Sequence, residues 1–368
     1  MPKITFYPLG NADSALIDLA GGEKLLFDFG DEHNPDDKTD LRVDLTRAIR
    51  DNLAAAEKDT IEVLALTHLD KDHYCGATEL FWLEHDKAYQ GDDRIHVTEL
   101  WVPAAVIVDD ECEVDEGKVL QAEARHRLVA GEGIKVFSRP EVLSDWLAEK
   151  GLSVADRHAC IVDAGKFVPT FDRATHGVEF FVHSPFGHRL NDAEVIERNK
   201  DAIMVQATFD VDGVETKVIF GSDVPWDHLQ EIVEITKAHS NEERLEWDVV
   251  KLPHHCSYLS LSSEKGVDKT TPVDEIAWFY ETQGREGSII VSPSKPIPLA
   301  GNDDQPPHRQ AANYYKGIGD SEFVVTMEHP SKTKPRPLVI TIDETKARIE
   351  EAKLGVPHIV TSTAPRAG

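Results

Sequence analysis

The run Thr67-His68-Leu69-Asp70-Lys71-Asp72-His73 sets two imidazoles and two carboxylates almost side by side. A loop of alternating donors can direct His68 and Asp70 to one cation and Asp72 and His73 to a second. Such a nitrogen and oxygen set suits Zn²⁺ or Mn²⁺. The plainer alternative is a solvated polar loop, though such loops seldom gather so many ligand-type side chains. Further donors must come from elsewhere in the chain. Asp223 closes the run Val218-Ile219-Phe220-Gly221-Ser222, His254-His255 close Val249-Val250-Lys251-Leu252-Pro253, and Asp28 closes Leu25-Leu26-Phe27. Each alone could be a polar strand cap. Together they fall at the ends of strand-like segments, where open sheets place their sites.

The elements that position these residues alternate in type. Residues 4–9, 14–19 and 24–29 read as three short strands separated by the turn signals Gly10-Asn11-Ala12-Asp13 and Gly21-Gly22. Leu45, Ile49 and Leu53 recur at helical spacing, so a helix is expected over about 40–56. The apolar, β-branched run 61–67 is a buried strand that delivers His68. A helix start is expected at 76–83 and a strand at 97–103. Residues 104–175 differ in character, opening on an acidic run (Asp109 to Glu116) and then reading as mainly helical. Pro140 and Gly151 punctuate one clear helix there, and the acidic run reads as a solvated face. Strands are expected again at 178–183, 201–209, 216–220, 247–252 and 288–291. Asp212-Gly213 marks a hairpin turn, and a helix is expected from 225 to about 237. Beta and alpha signals alternate onward through 309–316, 323–327 and 338–342. This order suits an α/β fold of two face-to-face sheets with helices outside, a four-layer αββα sandwich with a mostly helical insertion near 104–175. One domain is expected over 1–345, with a C-terminal extension at 346–368 whose end reads as disordered.

Composition narrows the partners. The 368 residues are 40% hydrophobic and 29% charged, enough apolar material for a large core. No apolar run approaches the roughly 18–20 residues that span a bilayer. The start, Met1-Pro2-Lys3-Ile4-Thr5-Phe6-Tyr7, lacks a signal-peptide pattern, so a cytoplasmic protein without a membrane partner is expected. The net charge of −28 repels phosphate backbones and counts against duplex nucleic acid. The four cysteines form no CxxC pair.

The motif His68-x-Asp70-x-Asp72-His73 resembles the signature of metallo-β-lactamase-fold hydrolases, usually HxHxDH. Its Asp at the third position is the variant of the ComEC-like branch, the nuclease-like domain of competence proteins. Gly10-Asn11-Ala12-Asp13-Ser14-Ala15-Leu16-Ile17 is similar to the opening GxGDSxLI of that branch, and Leu25-Leu26-Phe27-Asp28-Phe29-Gly30 to its LxDxG. Asn199-Lys200-Asp201-Ala202-Ile203-Met204-Val205 resembles NxxSLVL, and Ile219-Phe220-Gly221-Ser222-Asp223 resembles LxTGD. Lys251-Leu252-Pro253-His254-His255-Cys256-Ser257 resembles KxPHHGS, and Pro307-His308 the end of GHPH. The order is kept over about residues 3–310, with the insertion near 104–175.

The resemblance implies two divalent cations, Zn or Mn, sharing Asp223 and a bridging hydroxide. His68, Asp70 and His254 would hold one ion, and Asp72 and His73 the other. His308 would contact the substrate oxyanion or protonate the leaving group, while Asp28, with Asp13, would stand behind the ligands. The implied activity is metal-dependent hydrolysis, with a phosphodiester favoured and a nuclease-like enzyme included. A carboxylic ester, amide or lactone on the same fold is the alternative. Some positions depart from the family pattern. Asn199 stands where the wider fold supplies a His, leaving the first ion to Asp201 or water. Ala202 replaces a Ser. Cys256 replaces the Gly of HHGS, and Cys75 an apolar residue; each reads either as a thiolate ligand or as a small buried residue. His255 and Cys256 remain candidates for metal or substrate. These departures also motivate a non-catalytic metal-bound scaffold, and the 104–175 segment is a candidate docking site for a protein partner.

Overall fold

The computed structural model describes residues 1–110, 112, 115–192, 196–300 and 304–351. The expected disordered end of the chain lies outside the described residues. In chain order the strands are β1 (Lys3–Phe6), β2 (Ala15–Asp18), β3 (Lys24–Phe27), β4 (Thr60–Ala65), β5 (His96–Pro103), β6 (Ile134–Phe137) and β7 (Ile161–Val162). Then follow β8 (Val178–Ser184), β9 (Met204–Val211), β10 (Val214–Phe220), β11 (Trp247–Lys251), β12 (Gly284–Ser292), β13 (Glu322–Val325), β14 (Leu338–Ile342) and β15 (Ala347–Ile349). They form two sheets, ordered β15-β14-β1-β2-β3-β4-β5-β6-β7 and β13-β12-β11-β10-β9-β8.

Three apolar layers separate and cover these sheets. The middle one joins alternate residues of both, such as Ile4, Phe27, Val63 and Trp101 from the first and Phe180, Val205, Phe220 and Val249 from the second. Period-two alternation sends the other strand residues outward. Outside the first sheet lie Leu45, Ile49 and Leu53 of helix Leu45–Ala55, with Leu120, Ala124 and Leu128 of helix Asp115–Ala130. Outside the second lie Leu229, Ile232 and Val233 of helix Trp226–Ala238, with Ile276, Phe279 and Tyr280 of helix Asp274–Thr282. The result is the four-layer αββα sandwich expected from the sequence.

Local chemistry accounts for the boundaries. Asp44 caps helix Leu45–Ala55 by accepting from the Arg47 N–H at 2.8 Å. Asp212 and Gly213, with φ of 53° and 85°, form the two-residue turn between β9 and β10, where both central residues need positive φ. Pro140 precedes helix Glu141–Glu149, and Gly151 follows it.

The segment 104–175 is mainly helical, as expected, but not wholly so. It also contributes β6 and β7, which extend the first sheet by parallel pairing beyond β5. Both are short, four and two residues, so period-two alternation had little length in which to show. The acidic run is not uniformly a solvated face. Asp109 is buried and paired with Arg198, and the Glu116 carboxylate accepts from the Thr78 hydroxyl at 3.0 Å. At the other end of the chain, β15 in the expected extension pairs antiparallel with β14. Among the described residues no helix is long and apolar enough to cross a membrane.

His183 on β8 gives the fold a pH dependence remote from the strand-end motifs. Its buried Nε2–H donates to the Arg244 carbonyl at 2.8 Å, and burial pushes its pKa down from 6.5 to about 4. The unfolded chain therefore takes up a proton near pH 6.5 that the folded chain resists. The stabilisation is full above that pH and is lost as pH falls through about 4. Urea unfolding of the parent should show about 2 kcal/mol lost at this site between pH 7 and pH 5. His183→Gln, which keeps a donor without titrating, should lose correspondingly less; equal losses in the two proteins would exclude this residue as the cause.

Candidate metal centre

The site is assembled where strands of the two sheets end together. Phe27 of β3 and Phe220 of β10 stack across the sheets at 4.6 Å, and both chains then turn into the site as Asp28 and Gly221-Ser222-Asp223. His68 follows β4, and His254-His255 follow β11. Asp70 opens the short turn Lys71–Tyr74 that carries Asp72 and His73. The backbone is strained in this region: Asp28, Ser222, His254, His255 and Cys256 have φ between 46° and 64°. Left-handed backbone costs a non-glycine residue on the order of 1 kcal/mol or more, and it persists only where the surroundings over-determine it. Cys256 stands where the resembling motif has Gly, and its φ of 64° supplies the reason for glycine there.

Asp72, His73, Asp223 and His255 bring their donor atoms within 4.8 Å of one another. His73 Nε2 lies 3.4 Å from Asp223 Oδ1, His255 Nε2 lies 3.4 Å from Asp223 Oδ2, and His255 Nε2 lies 3.2 Å from Asp72 Oδ2. Two ligands of a tetrahedral Zn²⁺ at ordinary bond lengths are about 3.3 Å apart. The edges of this set therefore fit a divalent cation. Buried His73 Nε2 and Asp223 Oδ1 also lack hydrogen-bond partners, as expected of atoms aimed at an ion.

Electrostatics bind the set together. Burial works against a charged His73, but Asp28 and Asp223 override it and hold its pKa well above the ordinary value. Burial likewise opposes charge on His255, yet Asp223 and Asp72 raise it to about 10. Asp223 is buried, and His255 and His73 still keep its pKa well below the usual range. Asp72 is brought to about 2 against its burial, chiefly by its hydrogen bond with His255. A cation in the donor set takes the place of the imidazole protons, so its binding is linked to proton release.

Supporting residues fix the ligands. His73 Nδ1 meets Asp28 Oδ2 at 2.9 Å, leaving Nε2 to face the donor set. Asp28 accepts from the N–H and hydroxyl of Thr67, each at 2.8 Å, and the Ser222 hydroxyl donates to Thr67 Oγ1 at 2.7 Å. Asp13 ion-pairs with the wholly buried Lys251. The Pro293 carbonyl, 2.9 Å from His255 Nδ1, orients that ring. Gly30 leaves room for the loop, because a Cβ there would lie 2.0 Å from the Asp72 carbonyl oxygen. Sequence reasoning missed Thr67, Ser222 and Lys251 as supports, although all three flank the quoted motifs.

The remaining candidates fall in different places. The His68 ring lies tilted against that of His73, with centroids 4.0 Å apart, and its Nε2 lies 3.6 Å from Asp70 Oδ2. His254 and Asn199 line an open cleft of about 340 Å³ with Asp70, Asp72, Asp223 and His255. Among the described residues, His254 is outside the tight donor group; its neighbour His255 is inside it. Asp201 is buried against Arg189, 3.3 Å away, so its carboxylate is engaged with a guanidinium. Cys256 packs in the outer core of the second sheet, where burial pushes its thiol up to about 12. That is the small-buried-residue alternative. Burial also raises the half-buried Cys75 thiol. His308 is buried behind the turn. Its Nδ1 accepts from the Tyr258 N–H at 3.3 Å and its own N–H donates to the Cys256 carbonyl at 3.1 Å, so it braces the 254–258 segment and is not in the cleft wall.

No protein-family model matches the chain, and no curated protein matches it. Among solved structures it is similar to one described as a new diphosphatase from the PhnP family, at 9% identity and a TM-score of 0.36. That match covers 93% of this chain and 98% of the other. The likeness is too distant to bear on activity.

Asp28→Asn should weaken Zn²⁺ or Mn²⁺ binding by about 10–100-fold, because it removes the charge that orients and strengthens His73 as a ligand. Calorimetric titration of metal-free protein reads this directly. Unchanged affinity would show that Asp28 serves the fold alone.

Proposed function

We propose that the protein is a metal-dependent hydrolase of the metallo-β-lactamase fold, of the ComEC-like branch, acting on a small phosphodiester. The observation that carries this reading is the donor set of Asp72, His73, Asp223 and His255, with its ligand-like spacing, opening on the cleft. A divalent cation bound there would lower the pKa of a water molecule and act as a Lewis acid on a phosphoryl oxygen. Asp72, His73, Asp223 and His255 would hold it, with Asp28 fixing the orientation of His73 and the Pro293 carbonyl that of His255. His254 lines the cleft beside these ligands and is placed to meet the substrate, while Asn199 offers an amide to its polar atoms. The cleft volume suits a nucleotide-sized substrate, and the net charge of −28 disfavours a long duplex.

A second reading has one observation in its favour. Glu32, Asp70, Asp72 and Asp223 all line the cleft, and among its described lining residues Lys71 is the one with a cationic amine or guanidinium group. Carboxylates in that number favour an uncharged ester, amide or lactone over an anion.

The two readings separate on substrates. With Zn²⁺ or Mn²⁺, the parent should hydrolyse bis(p-nitrophenyl) phosphate and fail on a lactone and thioester panel. Asp223→Ala should abolish metal binding and lower the rate by at least about a hundredfold. Turnover of the panel alone would shift the assignment to carboxyl-derived substrates. Metal binding without turnover of either would leave the scaffold reading.

A further inference from the structure

The two halves of the centre are not equivalent. One half gathers four donors. The other offers His68 Nε2, also buried without a hydrogen-bond partner, and Asp70 Oδ2, 3.6 Å from it, but among the described residues no group of three ligand-type side chains contains either residue. Asn199, at the position where the resembling fold has a His, supplies only an amide to the cleft.

A cationic side chain stands on that half. Arg198 Nη1 donates to Asp70 Oδ1 at 3.3 Å, while its Nε and Nη2 donate to Asp109 Oδ2 at 3.3 and 3.1 Å. Asp109 is buried at the end of the short helix Ala104–Val108, which follows β5 directly, so the guanidinium is gripped from behind by a fixed carboxylate. A guanidinium keeps its charge at all working pH values, and its planar donors match carboxylates. A dication beside Asp70 would have to share that carboxylate with a charge already in place, in a half with too few donors to outweigh the repulsion.

We propose that Arg198 is the built-in cation of this half and that the centre takes one metal ion, held by Asp72, His73, Asp223 and His255. This departs from the expectation of two ions, and it rests on the metal-dependent reading above. Arg198 acts here by charge and position. Its contacts with Asp70 and Asp109 keep both carboxylates neutralised beside the cleft, work that a second ion would otherwise do.

The test counts metal in the whole protein. Parent, Arg198→Lys and Arg198→Ala are loaded with Mn²⁺, freed of excess, and measured by elemental analysis and electron paramagnetic resonance. The parent and Arg198→Lys should hold about one equivalent and give the spectrum of an isolated ion. Arg198→Ala should take up a second, weaker equivalent with a spin-coupled spectrum, because Asp70 and His68 are released. Asp109→Asn, which loosens the guanidinium without deleting it, serves if Arg198→Ala does not fold; it should move the same way, and a stoichiometry unchanged in the variant that folds would overturn the role of Arg198. Two equivalents with coupling in the parent would overturn the one-ion centre and leave the hydrolase reading standing. No metal in the parent would remove both.

Discussion

Burying opposite charges against one another is the constraint around which this fold is built. Lys251, Asp13, Asp28, His73, Asp223 and His255 are all within a few per cent of full burial. An isolated charge in such surroundings would be too costly to keep. The contacts run in sequence from Lys251 to Asp13, from Asp28 to His73, from His73 to Asp223, and from Asp223 to His255 and so to Asp72. Removing one member would strand its neighbours, and breaking such buried pairs costs about 3–5 kcal/mol. The members come from both sheets, so the sheets must meet in one register. Phe27 and Phe220, stacked just before Asp28 and Asp223, help supply it.

The same constraint explains where the backbone is strained. A strand leaves a sheet in its own direction, and its last side chains must turn inward to reach a common point. Asp28, Ser222, His254 and His255 manage this through left-handed conformations at the strand ends, and Gly30 does so by yielding space to the Asp72 carbonyl. The His254 amide donates to the Ser222 carbonyl at 3.1 Å, and the Phe29 amide to the His73 carbonyl at 2.8 Å. Each of these backbone bonds locks neighbouring turns of one sheet together, and the Ser222 hydroxyl joins Thr67 across the sheets, so the stability of the sandwich maintains the geometry of the donors.

Much of this was legible in the sequence where the signal was local. The apolar runs ending in Asp28, His68, Asp223 and His254-His255 marked strands with donors at their ends, and alternation of element type marked the layered sandwich. Legibility failed where the deciding fact was a distance. Nothing in the dipeptide His254-His255 says which imidazole joins Asp72 and Asp223; that depends on two successive left-handed residues. Asp201 resembles a ligand until Arg189 is seen beside it. Arg198 carries no motif, and its partner Asp109 lies 89 positions away in a run that composition assigns to solvent. The strands β6 and β7 escaped because four and two residues are too few to display a period.

The charge balance of the molecule has a functional direction. An excess of 28 negative charges raises the local concentration of divalent cations and lowers that of polyanions. The cleft repeats the bias at short range, with Glu32, Asp70, Asp72 and Asp223 in its wall. Positive charge is then needed where an anionic substrate would sit, and the fold supplies it from behind the wall: Lys251 under Asp13 and Arg198 between Asp70 and Asp109. Those cations are committed to carboxylates and cannot follow a long phosphate backbone. Among the described residues that line the cleft, Lys71 alone carries a cationic amine or guanidinium group, so a polyanion would meet mainly carboxylates there.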